Sequence, residues 1–259
     1  MSGGDCVITQ SSESRYDVGM ELNDLCERGQ AQLQRMEYLQ AEKTLVEAER
    51  LATAAGDFDT LSRLYMPLQE SRRQRRQTCG EGIVCLDLIS VGPADQIVAE
   101  RVLENYPKGQ LLVAGWGSIE PAIEVRKKAW EREMYVETLL GAVYPMGGGR
   151  VIAIMPLEDV KLPEPAERSI DQLIRLLPPH SIMLAENELP KGPAKGTTQT
   201  FARVMAMWER LHTPYLAAAD MQVDPVQKIE AYRKTIRVDY ACELAHQRLS
   251  GVAKGMTRR

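Results

Sequence analysis

Hydrophobic positions follow a helical period in the first third of the chain. From Val18 to about Arg76, apolar side chains recur every three or four residues, as is typical of amphipathic helices. The pattern breaks after Met36 and again at Gly56-Asp57, where glycine can end one helix and aspartate can cap the next. We therefore predict a helical hairpin followed by a third helix. Small residues mark where the helices approach closely; they are Gly29, Ala41 and Ala48.

The middle of the chain has a different pattern. Four short apolar runs lie between helical segments, at 83–89, 110–114, 151–155 and 181–185. Runs of this length without alternation are typical of strands covered on both faces. The helical segments between them are 93–105, 118–140 and 166–177. The order strand, helix, strand, repeated three times, predicts an α/β fold with three layers around a parallel four-stranded sheet, βαβαβαβ.

These patterns divide the chain into five segments. Residues 1–16 are polar and rich in serine and glycine, which predicts a disordered leader. A helical segment at 17–78 precedes the α/β segment at 80–190. Proline and glycine in 191–199 predict a linker, and 200–255 has the period of further helices.

Composition and charge exclude several classes of protein. The 259 residues are 44% hydrophobic and carry a formal net charge of −4, as in an ordinary globular protein. This weak negative charge gives no general attraction to nucleic acid or to anionic membranes. One basic run, Arg72–Arg76, could contact a nucleic acid or a phosphorylated partner, but such arginines more often complement a helix dipole and face water. We therefore expect no nucleic-acid partner.

The remaining composition favours a cytoplasmic protein. No apolar run reaches the roughly 18 residues that a membrane helix needs, and the polar start of the chain lacks a secretory signal. Five cysteines without paired spacing are typical of free thiols in a reducing compartment. The histidines are far apart in the sequence, at positions 180, 212 and 246. We therefore expect no metal site and no cofactor.

Candidate chemistry lies at the carboxyl ends of the predicted strands, where parallel sheets bind ligands. The first two strands end in glycine-containing turns that open into helices, and such turns present backbone N–H groups to anions. The candidate anion pocket comprises Ser90, Gly92, Gly117 and Ser118. The next two strand ends supply an acidic rim, which could hold a metal, act as acid and base, or remain as solvated carboxylates. This rim comprises Glu158, Asp159 and Glu186.

Both helical segments carry residues at the spacing of a known repeat. In the first segment they are Leu25, Gly29, Tyr38, Ala41, Leu45 and Ala48. In the second they are Asp224-Pro225, Ile229, Tyr232, Thr235, Val238-Asp239, Tyr240-Ala241, Leu249 and Ser250. These segments resemble tetratricopeptide repeats (TPR), which implies binding to a protein partner or self-association. Each piece is about one repeat, so the pieces must dock on the sheet, on each other or on a partner.

A weaker resemblance concerns the α/β segment. The string GQLLVAGWGSIEP at 109–121, followed by the apolar run at 151–154, resembles a sugar isomerase (SIS) phosphosugar-binding domain. This resemblance implies a phosphorylated small molecule as ligand. Of the hydroxyl-rich loop of that family, only Ser118 remains in this sequence.

Two functions follow as hypotheses. The leading one is a cytoplasmic protein-interaction protein with TPR-like helices around a Rossmann-like α/β domain. The sequence has no assembled catalytic motif, so it leaves open whether the chain is an enzyme. The alternative is an α/β enzyme or sensor that binds a phosphosugar, a nucleotide or another small molecule in the anion pocket.

Overall fold

The computed structural model describes residues 9–81, 85–90, 92–185, 188 and 197–258. These residues form two compact units. The helical unit comprises the chain up to Arg73 together with the chain from Glu243, and the sheet unit comprises Gln74–Cys242. The last predicted helix, which the sequence groups with the two helices before it, thus belongs with the N-terminal helices.

The helical unit begins with α1 (Thr9–Gln34), α2 (Tyr38–Ala55) and the first part of α3 (Phe58–Gly80). A Cβ atom at Gly29 would lie 2.6 Å from Cδ2 of Leu45, so α1 and α2 approach closely as the small residues predict. Gly56 ends α2 with a φ of 65°, and the Asp57 carboxylate accepts from the amide of Thr60 at 3.0 Å. The predicted end of one helix and the cap of the next are thereby confirmed.

The last helix of the chain, α9 (Glu243–Met256), completes this unit by packing on α3. The Ser250 hydroxyl donates to the carbonyl oxygen of Ser62 at 2.6 Å, and the rings of Tyr65 and His246 lie 6.4 Å apart. The N-terminal and C-terminal helical segments therefore contact each other, which the periodicity alone leaves open.

A buried arginine connects three helices of the helical unit. Nε of Arg72 donates to Oε1 of Glu42 on α2 at 3.0 Å, and its NH1 lies 3.0 Å from Nε2 of His246 on α9. Because arginine has only donors, the imidazole nitrogen must accept this hydrogen bond. All three side chains are buried, so the pairing of Arg72 stabilises the contact between the chain ends.

In the described part of the chain, the sheet unit contains a five-stranded sheet in the order β1 to β5. Its elements alternate along the chain as β1 (Cys85–Ser90), α4 (Ala99–Asn105), β2 (Gly109–Trp116), α5 (Glu120–Glu131), β3 (Val136–Met146), β4 (Gly149–Met155), α6 (Ile170–Leu176) and β5 (Ile182–Ala185). The mixed α/β class is confirmed, and all four predicted runs contain strands. Residues 83–84 of the first run lie outside the described residues.

The prediction of a fully parallel four-stranded sheet is wrong. Strand β1 pairs with β2 and β2 with β3 in parallel, whereas β3 with β4 and β4 with β5 are antiparallel. The sequence missed β3, whose first residues fall in the predicted helix 118–140. Met146 pairs with Gly149 across a two-residue turn in which Gly148 has a φ of 92°. So short a connection can join only antiparallel strands, so it reverses β4.

Helices cover both faces of this sheet. Buried residues of α4, α5 and α6 form one core with one face. The opposite face packs against α7 (Thr198–Asp220) and the end of α8 (Pro225–Val238). This double cover explains why the strands read as continuous apolar runs.

Two predicted segments differ from the described chain. Residues 9–16, within the predicted disordered leader, lie in α1, and residues 1–8 lie outside the described residues. Most of the predicted linker also lies outside them, but Thr197 caps α7, which begins at Thr198. Among the residues that the structure describes, we find no helix with the apolar length to cross a membrane.

Candidate functional site

An open crevice of about 720 Å³ lies where the ends of β1 and β2 lead into α4 and α5. The loop before α4, the first residues of α4, the turn after β2 and one side of α5 as far as Lys128 form its walls. Trp116, the last residue of β2, and Ser118, in the turn after it, line the crevice. The crevice is therefore at the edge of the sheet that the sequence nominates.

The four residues of the candidate anion pocket have different surroundings. Ser118 lines the crevice, but its hydroxyl oxygen accepts from the amide of Glu120 at 3.2 Å and so closes its own turn. Gly117 has a φ of 60°, and a Cβ atom there would lie 2.6 Å from Pro165, so its role is to form the turn. A Cβ at Gly92 would lie 3.4 Å from the Asp95 carboxylate, and Ser90 is the last residue of β1.

Charge in the crevice opposes an anionic ligand. Four carboxylates line it, against one ammonium group, so the formal charge of the lining is −3. The acidic residues are Asp95, Glu100, Glu120 and Glu124. The one lysine, Lys128, donates a hydrogen bond to Glu100 and thereby lowers the pKa of that carboxyl. A phosphate group would meet like charge here, whereas a cation would be attracted.

The predicted acidic rim does not gather at this crevice. Because β4 runs antiparallel to β3, the residues after β4 lie toward the amino ends of β2 and β3. There Glu158 pairs with Arg126 at 3.1 Å, and Asp159 pairs with Arg237 at 2.8 Å. Glu186 lies outside the described residues. Within the described residues, no group of three or more His, Cys, Asp or Glu side chains could hold a metal ion.

A second polar centre, at the amino ends of β2 and β3, was missed by the sequence. Arg76, on the last turns of α3, donates to Oε1 of Glu137 at 2.6 Å from NH2 and 3.0 Å from Nε. Its NH1 lies 2.7 Å from Oδ1 of Asp239. Gln110 donates to the other oxygen of Glu137 at 2.7 Å. All four side chains are buried, so this is an ionic network inside the sheet unit.

Aromatic rings enclose the arginines of this network. The guanidinium carbon of Arg76 lies 4.7 Å from the ring centre of Trp208 and 4.8 Å from that of Tyr240. The neighbouring Arg75 lies 4.4 Å from the Tyr240 ring and 5.2 Å from the Trp130 ring. Desolvated contacts of this kind are each worth about 1–2 kcal/mol.

The basic run at the end of α3 is therefore not a solvent-facing patch, which corrects the interpretation made from the sequence. Arg72 and Arg76 are one helical turn apart and both buried, whereas Arg73 between them is exposed and pairs with Glu70 at 2.8 Å. The helical period places every fourth residue on one face. Some arginine side chains of the run are buried and others are exposed, so the run does not form a uniform basic surface.

Asp239 also connects the network to a histidine and a cysteine. Its Oδ2 lies 2.7 Å from Nδ1 of His212 on α7, and the side chain of Cys242 hydrogen-bonds His212 as well. The turn after α8 holds the cysteine, because the Cys242 amide donates to the Asp239 carbonyl at 3.0 Å. We call Cys242, His212 and Asp239 the thiol triad. His212 and Asp239 are 27 positions apart in the sequence, so no search of local spacing finds this arrangement.

No protein-family model, curated protein or solved structure matches this chain. The resemblances to TPR and SIS domains are thus not confirmed by comparison. The function must be argued from the crevice, the ionic network and the thiol triad themselves.

Protonation of His212 should make stability depend on pH. Burial disfavours the charged imidazole, but hydrogen bonds with Asp239 and Cys242 outweigh burial and raise the pKa of His212 to about 10. In the unfolded chain the pKa of histidine is about 6.5. The charged form therefore contributes its full stabilisation below about pH 6.5, and this is lost as the pH rises toward 10.

We expect His212→Gln to lower the free energy of unfolding by about 1–3 kcal/mol at pH 6 and by much less at pH 10. Denaturant unfolding at pH 6, 8 and 10 measures this difference. His180→Gln is the matched control, since His180 is exposed, and at pH 6 its free energy of unfolding should stay within about 0.5 kcal/mol of the wild type. A deficit for His212→Gln that is equal at all three pH values would contradict the assignment.

Proposed function

We propose that this chain is a protein-interaction protein that binds a basic segment of its partner in the acidic crevice of the sheet unit. The observation that carries the proposal is the charge of the lining, four carboxylates against one lysine that already pairs with Glu100. Lysine and arginine side chains complement such a lining, and complementary charge increases both specificity and association rate.

The shape of the crevice supports a chain segment as ligand. It is open along its length, and about 720 Å³ is enough for several side chains. Trp116 lines the crevice, and an aromatic ring attracts cationic groups that approach its face. The proposal thus accounts for both the acidic residues and the aromatic residue of the lining.

The helical unit supports interaction as well. In this proposal α1 and α2 form a TPR-like pair, and α3 continues the array. A groove of about 120 Å³ lies between α1 and α3, with Asn23, Gln30 and Thr60 among its polar residues and Leu22 and Leu64 among its apolar ones. A partner segment or a second copy of the chain is the proposed occupant. The free thiols of Cys26, Cys79 and Cys242 support a cytoplasmic protein, in a reducing compartment.

The experiment uses a fluorescein-labelled peptide of alternating arginine and glycine and measures its anisotropy with the full chain at low salt. We expect saturable binding, which the double variant Glu120→Gln/Glu124→Gln weakens by about 5- to 30-fold, because each exposed carboxylate contributes about 0.5–1 kcal/mol. Binding should also weaken as the salt concentration rises.

The matched control is Glu104→Gln/Glu131→Gln, which removes the same charge from exposed positions of α4 and α5 outside the crevice. Its affinity should stay within about twofold of the wild type. Equal weakening by both double variants would show that the peptide senses only net charge. A rise in melting temperature with a hexose phosphate, lost in Ser118→Ala, would instead support the phosphosugar alternative and overturn the proposal.

A further inference from the structure

Helix α6 presents an apolar side to solvent. Leu173, on its inner side, is buried in the core that α4, α5 and α6 form with one face of the sheet. Ile170 and Ile174, which lie one helical turn apart, are 50% and 54% exposed. In the described part of the chain, α4 and α5 cover the same face of the sheet without leaving a large apolar side chain exposed. The two isoleucines therefore mark a side of α6 that the fold itself does not cover.

Two opposite charges lie beside these isoleucines. Asp171 follows Ile170 and Arg175 follows Ile174, so each charge lies about 100° farther around the helix than its isoleucine. Both charged residues are exposed, and within the described residues neither side chain takes part in an ion pair or a side-chain hydrogen bond. The helix thus carries two parallel rows, one of isoleucines and one of opposite charges. We call these four residues the α6 face.

The order of its residues makes the α6 face complementary to itself. When two copies meet through a twofold axis perpendicular to α6, their helices run antiparallel and each row faces the same row of the other copy. Ile170 of each copy then meets Ile174 of the other, and Asp171 of each meets Arg175 of the other. Both rows have a spacing of four residues, about 6 Å along the helix, so all these contacts form together. A parallel pair of helices would instead set the charges against the isoleucines.

We propose that the α6 face is the contact between two copies of this chain, which form a weak antiparallel dimer. A second copy is the occupant because the order of charges on α6 matches that of an identical chain related by a twofold axis. The helix is only seven residues long, so the contact is smaller than a stable protein interface, and we expect a dissociation constant of about 10–100 µM. None of the four residues lines the crevice, so this proposal is independent of the function proposed above.

The two charges also have an explanation within a single chain. Asp171 lies in the first turn of α6 and Arg175 in the last, where each complements the helix dipole. On that explanation, exchanging either charge changes the melting temperature and leaves the state of association unchanged. It also gives no reason for the two exposed isoleucines. The experiment therefore measures association and melting temperature separately.

The test is sedimentation equilibrium of the full chain at concentrations between about 5 and 500 µM, where a dimer of this affinity forms. We expect monomer and dimer in the wild type. Asp171→Arg and Arg175→Asp should each weaken association by at least about tenfold, because each exchange places two like-charge contacts across the twofold axis. The matched controls are Glu131→Arg and Arg101→Asp, which make the same changes of charge at exposed positions of α5 and α4. Their association should stay within about twofold of the wild type.

A mixture of the two charge variants gives the decisive result. Asp171→Arg has two arginines on the α6 face and Arg175→Asp has two aspartates, so each repels its own copy and attracts the other variant. With one variant labelled at its amino terminus, fluorescence-detected sedimentation should show a mixed dimer whose affinity is within about threefold of the wild-type dimer.

Three results would overturn the proposal. They are a wild type that stays monomeric at about 500 µM, charge variants that associate as the wild type does, and folded charge variants that do not bind each other. If a charge variant does not fold, Ile170→Ser/Ile174→Ser decides. It should lose at least about tenfold in association, and undiminished association would show that the copies meet through another surface.

Discussion

Replacing Arg76 with methionine is expected to lower the free energy of unfolding by about 3–5 kcal/mol, the largest effect of any exchange considered for this protein. The exchange leaves the buried carboxylate of Glu137 without the guanidinium, and it leaves the buried carboxylate of Asp239 with His212 as its cationic partner. It also removes the guanidinium between the rings of Trp208 and Tyr240. Methionine keeps most of the volume, so the loss reports charge and not packing.

Denaturant unfolding followed by tryptophan fluorescence measures the change, because Trp208 contacts Arg76 directly. Arg73→Met is the control, since Arg73 is an exposed arginine three positions away that pairs only at the surface. Its effect should be below about 0.5 kcal/mol. A loss of similar size in both variants would show that the buried network adds nothing to stability.

Arg72→Met is expected to lower the free energy of unfolding by about 2–4 kcal/mol, through the helical unit. The exchange removes the ion pair between Arg72 and the buried carboxylate of Glu42, and it removes the donor to His246. Since His246 lies on α9, the contact between the two chain ends should loosen first. Hydrogen exchange should show lost protection in α9 while the strands of the sheet unit stay protected.

The double variant Glu42→Leu/Arg72→Leu separates the pair from the surrounding packing. Replacing both charges with apolar groups of similar size removes the buried carboxylate together with the guanidinium, so it should recover part of the stability that Arg72→Met loses. A double variant less stable than Arg72→Met would mean that the packing around His246, not the buried charge of Glu42, accounts for the loss.

The acidic crevice and the buried ionic network lie at different ends of the sheet unit and suit different chemistry. The crevice lies where β1 and β2 end, and its carboxylates are exposed or half-exposed, which suits reversible binding of a basic segment. The ionic network lies where β2 and β3 begin, and its groups are buried, which suits a fixed protonation state. A variant in the crevice can therefore be measured without changing the ionic network, and a variant in the network without changing the crevice.

Local pattern was sufficient for most of the helices and strands and for the place of the crevice. The helical period located α1 to α3, and Gly56 and Asp57 marked a helix end and a cap. The apolar runs located β1, β2, β4 and β5 because a strand covered on both faces must be apolar throughout. Strand β3 was not predicted from the sequence, because it begins only four residues after α5 and its first residues were included in the predicted helix.

The sequence by itself determined which segments are helical or buried, since periodicity depends on neighbours a few residues away. Only the tertiary structure decided the strand directions and the partners of the charged residues. The turn at Gly147-Gly148 reverses β4 and carries Glu158 and Asp159 away from the crevice. The pairing of Arg76 with Glu137 joins residues 61 positions apart. Such pairings depend on how the whole chain closes on itself, and no local pattern encodes that.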